Sequence, residues 1–366
     1  MNDRCVQCIM PANYLGISFD QEGVCSYCKN HKNIKYLGLE EMKKDIYNII
    51  DRKKDRKFDC VLGLSGGRDS NYMLHILRNE LNLNPLVYFI DHDFIPEHTR
   101  QNVIRIASKC NVKLMIEKSR ILTHCFYYEF NAWKKHPTPA TLPTFCMGCK
   151  GRVIFTDYKL AIKYRIPLII NAGTPFEYVS YKSDLVKINP KTSKKTSYFA
   201  GYFRQVIKNP LLVLDPKCFL MQGAEFIINY NFNPFFHKFL QSFFNVNIMV
   251  PFWKYIRWEE KKVLETIQKV FEWKNFPAMS STWRGDCYIG PIRQYLYHVF
   301  LGYNDKDVHL SALIRDRQLC REEAINRLKE EHLLLTNVAK ICCEKSGINF
   351  NELQNLVEEY KKKLIN

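Results

Sequence analysis

The sequence predicts an α/β fold: a doubly wound parallel sheet with an N-terminal zinc ribbon or knuckle and a helical C-terminal extension. Three observations lead there. The apolar run Val61-Leu62-Gly63-Leu64 ends in Ser65-Gly66-Gly67 and passes straight into helical spacing at Tyr72, Met73, Leu74, Ile76 and Leu77, which reads as strand, tight loop, helix. Further β-rich runs at Pro85–His92, Val112–Ile116 and Ile166–Ile170 alternate with helical patterns, the order that builds a parallel sheet. Ahead of them stand two CxxC pairs, Cys5/Cys8 and Cys25/Cys28.

At 366 residues the chain can bury a core without disulfide staples. Its formal net charge of +17 suits a polyanionic partner such as tRNA, anionic substrates, or simply a solvated basic surface. The basic residues are spread along the chain with no basic tail, so nucleic acid is the less favoured partner. The 14 cysteines, with no N-terminal apolar segment behind basic residues, do not fit a secreted disulfide scaffold and point to a reducing cytoplasm. No uninterrupted apolar run reaches membrane-spanning length, so a soluble protein is expected.

Taken in order, the head (1–35) offers four thiolates from two knuckle turns, the closed tetrahedral set of structural zinc, with an iron–sulfur cluster as the alternative. Too few apolar residues lie there to fold without metal. Met42, Ile46, Ile49 and Ile50 give an amphipathic helix over 39–52. The loop Ser65–Ser70 then aims backbone N–H groups and a helix dipole at one point, and its hydroxyls and glycines suit a phosphate. The Walker A and dinucleotide patterns are both absent. Asp91 and His92, at the carboxyl end of the next strand, are placed near a nucleotide base or ribose. A helix over 99–110 with a Val103, Ile104, Ala107 stripe leads to the third strand.

The proline-rich stretch from Pro137 ends in Cys146-Met-Gly-Cys149-Lys150-Gly-Arg152, opening a helix. A helix start and two cations favour thiolates there, fit for a metal or for sulfur chemistry. Gly173 and Thr174 form a further strand-end turn at the nucleotide edge, and Lys187–Ser197 is read as a basic loop near the site mouth. The aromatic insertion at 219–253 is read as a core or dimer face rather than a membrane anchor. A proline-led strand at Pro251–Ile256 precedes Trp258-Glu259-Glu260, a helix, and Arg284-Gly-Asp286-Cys287. The remaining cysteines, Cys125 and Cys218 among them, read as small core residues.

Ser-Gly-Gly-x-Asp-Ser at 65–70 resembles the pyrophosphate loop of the N-type ATP pyrophosphatases, HUP-like proteins that include GMP synthetase, NAD synthetase and the tRNA thiolases. That resemblance implies ATP cleavage to AMP and pyrophosphate. With the cysteine head, Pro137–Arg152, Trp258–Glu260 and the Asp305–Ala324 tail, the chain resembles the bacterial N-acetyl sugar amidotransferases of lipopolysaccharide O-antigen and pseudaminic-acid-type pathways. The implied reaction adenylates an acetamido oxygen and replaces it with ammonia. Ser65, Gly66, Gly67 and Ser70 would hold pyrophosphate, Asp69 would position Mg²⁺, and Lys150, Arg152 and Arg284 would meet the anionic sugar or α-phosphate. With no glutaminase signature, a separate glutaminase subunit with a cyclase-like companion is the expected ammonia source, and an N-acetylated sugar or sugar nucleotide the substrate.

Cys146, Cys149 and Cys287 also resemble the cysteines that hold a 4Fe-4S cluster in tRNA thiolases; the plainer reading is zinc at the CxxC, or nothing. A thiolase, or a nucleotide-binding zinc module without turnover, are the rival functions. The expected domains are a ribbon (1–35), an ATP pyrophosphatase domain (36–300) and a helical extension (301–366).

Overall fold

The computed structural model describes residues 3–50, 56–177, 180–188, 195–228, 234–249 and 252–365. Its first strand, β1 (Cys60–Gly63), is apolar on both faces and lies in the middle of the sheet, where both faces are covered. The order is β3-β2-β1-β4-β5 with every pairing parallel, from β2 (Pro85–Asp91), β3 (Lys113–Lys118), β4 (Leu168–Ile170) and β5 (Asn247–Met249). The doubly wound α/β expectation is met. From β3 the chain returns past β1 to start β4, so β1 and β4 flank the switch point, where ligands of such sheets bind. β3 carries Lys113, Glu117 and Lys118 and is the exposed edge.

Before the sheet come α1 (Ser26–Lys29) in the cysteine head and α2 (Leu39–Ile50), which buries Met42, Ile46 and Ile50 at helical spacing. Next are α3 (Arg68–His75), running on as a π turn to Glu80, and α4 (Glu97–Lys109). The stripe of α4 is Val103, Ile106 and Ala107; Ile104 is exposed, because i+3 and i+4 return to the face of Val103 whereas the next residue turns about 100° away from it. α5 (Arg120–Lys135) and α6 (Met147–Lys163) precede β4, and the CxxC occupies the N-cap and first turn of α6.

After β4 come α7 (Ser180–Lys187), α8 (Tyr198–Lys208), α9 (Pro216–Ile228) and α10 (Pro234–Phe244). The aromatic insertion is corrected in two ways. It supplies the fifth strand, whereas the proline-led strand proposed at 251–256 is a short 3₁₀ turn, Phe252–Lys254. Phe219, Phe235, Phe239 and Phe243 are exposed on the single chain, so of the core-or-dimer-face expectation the core half fails for these rings. Phe226, Tyr230, Phe232, Phe236 and Phe252, and most of the basic loop after Lys187, lie outside the described side chains.

α11 (Glu260–Phe271), α12 (Ile289–Leu301), α13 (Asp305–Arg315), α14 (Arg321–Lys345) and α15 (Phe350–Ile365) complete the chain. One core cluster joins α2, α3 and α11 to one face of the sheet; another covers the opposite face with Tyr158, Leu160 and Ala161 of α6. A third unites Cys5, Cys8, Met10 and Tyr14 of the head with Tyr303, Val338 and Cys342, so the ribbon is packed on the helical extension. No helix among the described residues is long and apolar enough to cross a membrane.

Candidate functional site

Beyond Gly63 the chain turns through Ser65-Gly66-Gly67 into α3. Gly66 has φ +79°, and a Cβ there would sit 2.5 Å from the Thr99 methyl and 2.8 Å from its carbonyl, so only glycine fits. The two serines shape the turn. Ser65 N–H donates to Ser70 Oγ (3.2 Å) and Gly67 N–H to Ser65 Oγ (3.1 Å), while the Trp273 indole clamps the Gly66 carbonyl at 2.9 Å. The first-turn N–H groups of α3 have no intrahelical partner by position and open toward the switch point.

Arg68, the variable residue of the hexapeptide, is buried and ties the loop to distant elements. It donates to Glu260 Oε1 (2.6 Å) and Thr282 Oγ1 (2.9 Å), meets His309 Nε2 at 3.3 Å, and stacks 4.9 Å from the Trp258 ring. Burial pushes the Glu260 carboxyl up, but His309, Arg68 and Arg327 together pull it well below the ordinary range. Asp69 accepts from the Trp258 indole (2.8 Å) and stands 3.6 Å from Arg68 Nε. Trp258, Glu260 and His309 therefore act as braces of the loop.

The loop floors a cavity of about 310 Å³ between the ends of β1 and β4, which Asn171, Ala172 and Gly173 line on the β4 side. On its α6 wall sits Asp157, whose carboxyl accepts from Tyr88 Oη at 2.8 Å; burial raises it to about 7. Tyr88 reaches it across β1 only because position 63 is glycine, where a Cβ would lie 2.9 Å from the phenol oxygen. The far wall is Trp273, Asn275 and Thr282–Asp286, with the Asp286 carboxylate 3.0 Å from where a Gly67 Cβ would project.

Residues 272–366 match the family model described as LPS biosynthesis protein WbpG-like, C-terminal domain. The C-terminal segment is WbpG-like. An uncharacterized protein of Methanocaldococcus jannaschii is 30% identical over 103 residues, 27% of this chain and 36% of that protein, so the chain spans little more than a third of that relative's length. Similar solved structures include an NMN synthetase from Francisella tularensis (TM-score 0.38, 13% identity, 83% of this chain and 97% of that one). Others are an NH3-dependent NAD synthetase from Campylobacter jejuni (TM-score 0.29, 15% identity, 51% and 93%) and the U34-tRNA thiolase NcsA from Methanococcus maripaludis with its 4Fe-4S cluster (TM-score 0.27, 11% identity, 75% and 100%). The WbpG-like segment supplies the whole far wall of the cavity, from Trp273 to Asp286.

Of the residues singled out from sequence, Ser65, Gly66, Gly67, Asp69, Ser70, Gly173 and Arg284 line this cavity. Thr174 is buried just behind Gly173 and outside the lining. Asp91 and His92, expected near a base or ribose, are outside the lining of this cavity: β2 pairs Tyr88 with Gly63, the last residue of β1, and runs on for three residues to Asp91. Asp91 there accepts from Arg100 (2.8 Å), and burial lowers His92 to about 4. Lys150 is exposed and Arg152 pairs with Glu117 of β3; neither lines the cavity, which α6 meets a turn later at Val153, Ile154 and Asp157. Asp157, Tyr88 and Asp286 escaped sequence reasoning. Asp157 and Asp286 stood in segments read for their cysteines, and Tyr88 in one read only as strand.

The head fits zinc. Its four sulfurs lie within 4.8 Å of one another, with Cys5···Cys28 at 3.9 Å and Cys8···Cys25 at 3.7 Å. A tetrahedron of ~2.3 Å Zn–S bonds spaces sulfurs by about 3.8 Å. Backbone N–H groups of Cys8, Met10 and Cys25 point at sulfur (3.3–3.5 Å), and Arg315 approaches Cys8 Sγ at 3.6 Å. Cys146, Cys149 and Cys287 are a different case. Cys146 and Cys287 pack against the same apolar cluster, and burial, then Cys146 and more weakly Cys149, push the Cys287 thiol well up. Among the described residues the sulfurs of these three do not all lie within 4.8 Å of one another.

Proposed function

We propose that this chain is an ATP-using enzyme of lipopolysaccharide biosynthesis that converts the acetamido group of an N-acetylated sugar or sugar nucleotide to an acetamidino group, releasing AMP and pyrophosphate. The observation that carries it is that one cavity is built from the Ser65–Ser70 loop on one side and the WbpG-like segment on the other. The amide oxygen attacks the α-phosphorus and the bond to pyrophosphate breaks. The departing charge is received by the loop hydroxyls and the first-turn N–H groups of α3. Ammonia then adds to the imidate carbon and the C–O bond to AMP breaks. The proton that nitrogen sheds goes to Asp157, whose raised pKa suits it to accept and return protons near neutrality.

Magnesium bound with ATP would shield its phosphate charge, and the hard oxygen donors Asp69 and Asp286 beside the loop fit it. Arg284, on the same wall, would hold the α-phosphate or an anionic sugar. Ammonia would come from a separate glutaminase subunit. Cys146 and Cys287, packed against one apolar cluster, support a second reading, a thiolase whose Cys146, Cys149 and Cys287 hold an iron–sulfur cluster.

Anaerobically purified protein with Mg-ATP and ammonium should release AMP with an N-acetylated sugar from a panel of sugar nucleotides and nonulosonic acids. The product should be lighter by the difference between O and NH. AMP release confined to bulk tRNA plus sulfide would replace the amidotransferase by a thiolase. ATP binding without AMP would leave a non-catalytic module.

A further inference from the structure

His124 of α5, and Asp215 and Cys218 at the start of α9, bring three metal-ligating atoms within 4.8 Å of one another, although His124 and Asp215 are 91 residues apart. His124 Nε2 stands 2.9 Å from Asp215 Oδ2, and the other carboxylate oxygen accepts the Cys218 N–H at 2.9 Å, which fixes the carboxylate plane. The Cys218 sulfur is buried, with the buried thiol of Cys125, which follows His124 in sequence, close by. His124 is half exposed, so the cluster has a buried sulfur side and a side open to water.

The donor set decides the guest. One imidazole, one carboxylate and one sulfur are too soft for magnesium or calcium, which take oxygen shells, and match zinc-class ions. Three protein ligands leave a fourth position, toward solvent or the Cys125 sulfur. We propose that His124, Asp215 and Cys218 form a second zinc-class site, separate from the cysteine head, that clamps the start of α9 to α5. The clamp lies where the chain enters the exposed aromatic region, at the start of a helix that also packs on α6 and donates from Gln222 to Glu129 of α5 at 2.7 Å.

Cobalt(II) titration of the full chain, prepared metal-free under reducing conditions, tests this. The head should give the intense charge-transfer bands of a tetrathiolate site, and the second site weaker, shifted bands of mixed ligation. Metal analysis of His124→Ala and of Asp215→Ala should read one equivalent less than the parent protein, with the tetrathiolate bands and the circular dichroism unchanged. Cys218→Ser should give the same loss without the risk of altering the exposed surface. Equal metal content in all four proteins would overturn the site, as would a Cys125–Cys218 disulfide persisting in reductant.

Discussion

At the scale of single residues, Asp157 is where chemistry and stability meet. A carboxyl raised to about 7 in the folded chain but ordinary in the unfolded one favours folding only while protonated. The unfolded chain releases that proton first, so the stability it contributes is fully present below the ordinary carboxyl range, falls as pH rises, and is gone above about 7. Asp157→Asn keeps an acceptor for Tyr88 and removes the titration. Its melting temperature should match the parent at acid pH and exceed it increasingly up to pH about 7, then run parallel. AMP formation should fall on the order of 10²–10⁴-fold, the usual worth of a positioned acid–base group. Parallel melting profiles at all pH values would sink the titration argument; an unchanged AMP rate would remove Asp157 from the chemistry.

At the scale of elements, the loop and its strand and helix were legible because a glycine turn between an apolar run and a helical pattern leaves few local alternatives. The braces were not, since nothing in the hexapeptide says that Arg68 is buried or that its partner is Glu260, 192 residues away. The two brace residues are not equivalent. Without Arg68, Glu260 keeps Arg327 at 2.7 Å and His309 at 3.6 Å; without the Glu260 carboxylate, buried Arg68 keeps the neutral Thr282 hydroxyl and, as a counter-charge, Asp69 at 3.6 Å. Stranding a buried charge costs about 3–5 kcal/mol, against much less when the remaining partner stays compensated. Urea unfolding should therefore find Glu260→Gln distinctly less stable than Arg68→Met. The reverse order would mean that Arg68 packing on Trp258, rather than the ion pair, holds the loop.

At the scale of the whole molecule, sequence spacing revealed both ends of the chain but not that they touch. CxxC pairs advertise a metal at any position, whereas the contacts that join the head to the extension come from residues with no motif. Arg4 pairs with Asp307 at 2.7 Å, Arg321 donates to the carbonyls of Cys5 and Cys8, and Arg315 reaches the Cys8 sulfur. The head is thus a keystone for α13 and α14, and α13 in turn carries His309 to the loop brace. The apolar cluster of β1, β2 and α2 takes in Ile9 of the head and Leu310, Leu313, Ala324 and Leu328 of α13 and α14 at its margin, but most of its residues belong to the sheet and to α2, α3 and α11. Stripping metal with a chelator should consequently lose hydrogen-exchange protection in the head, α13 and α14 together, with β1–β3 remaining protected. AMP formation should fall in step, because the loop loses one of its braces before the sheet opens. Protection lost only in residues 5–28 would make the head an independent ribbon; uniform loss would make the metal a support of the entire fold.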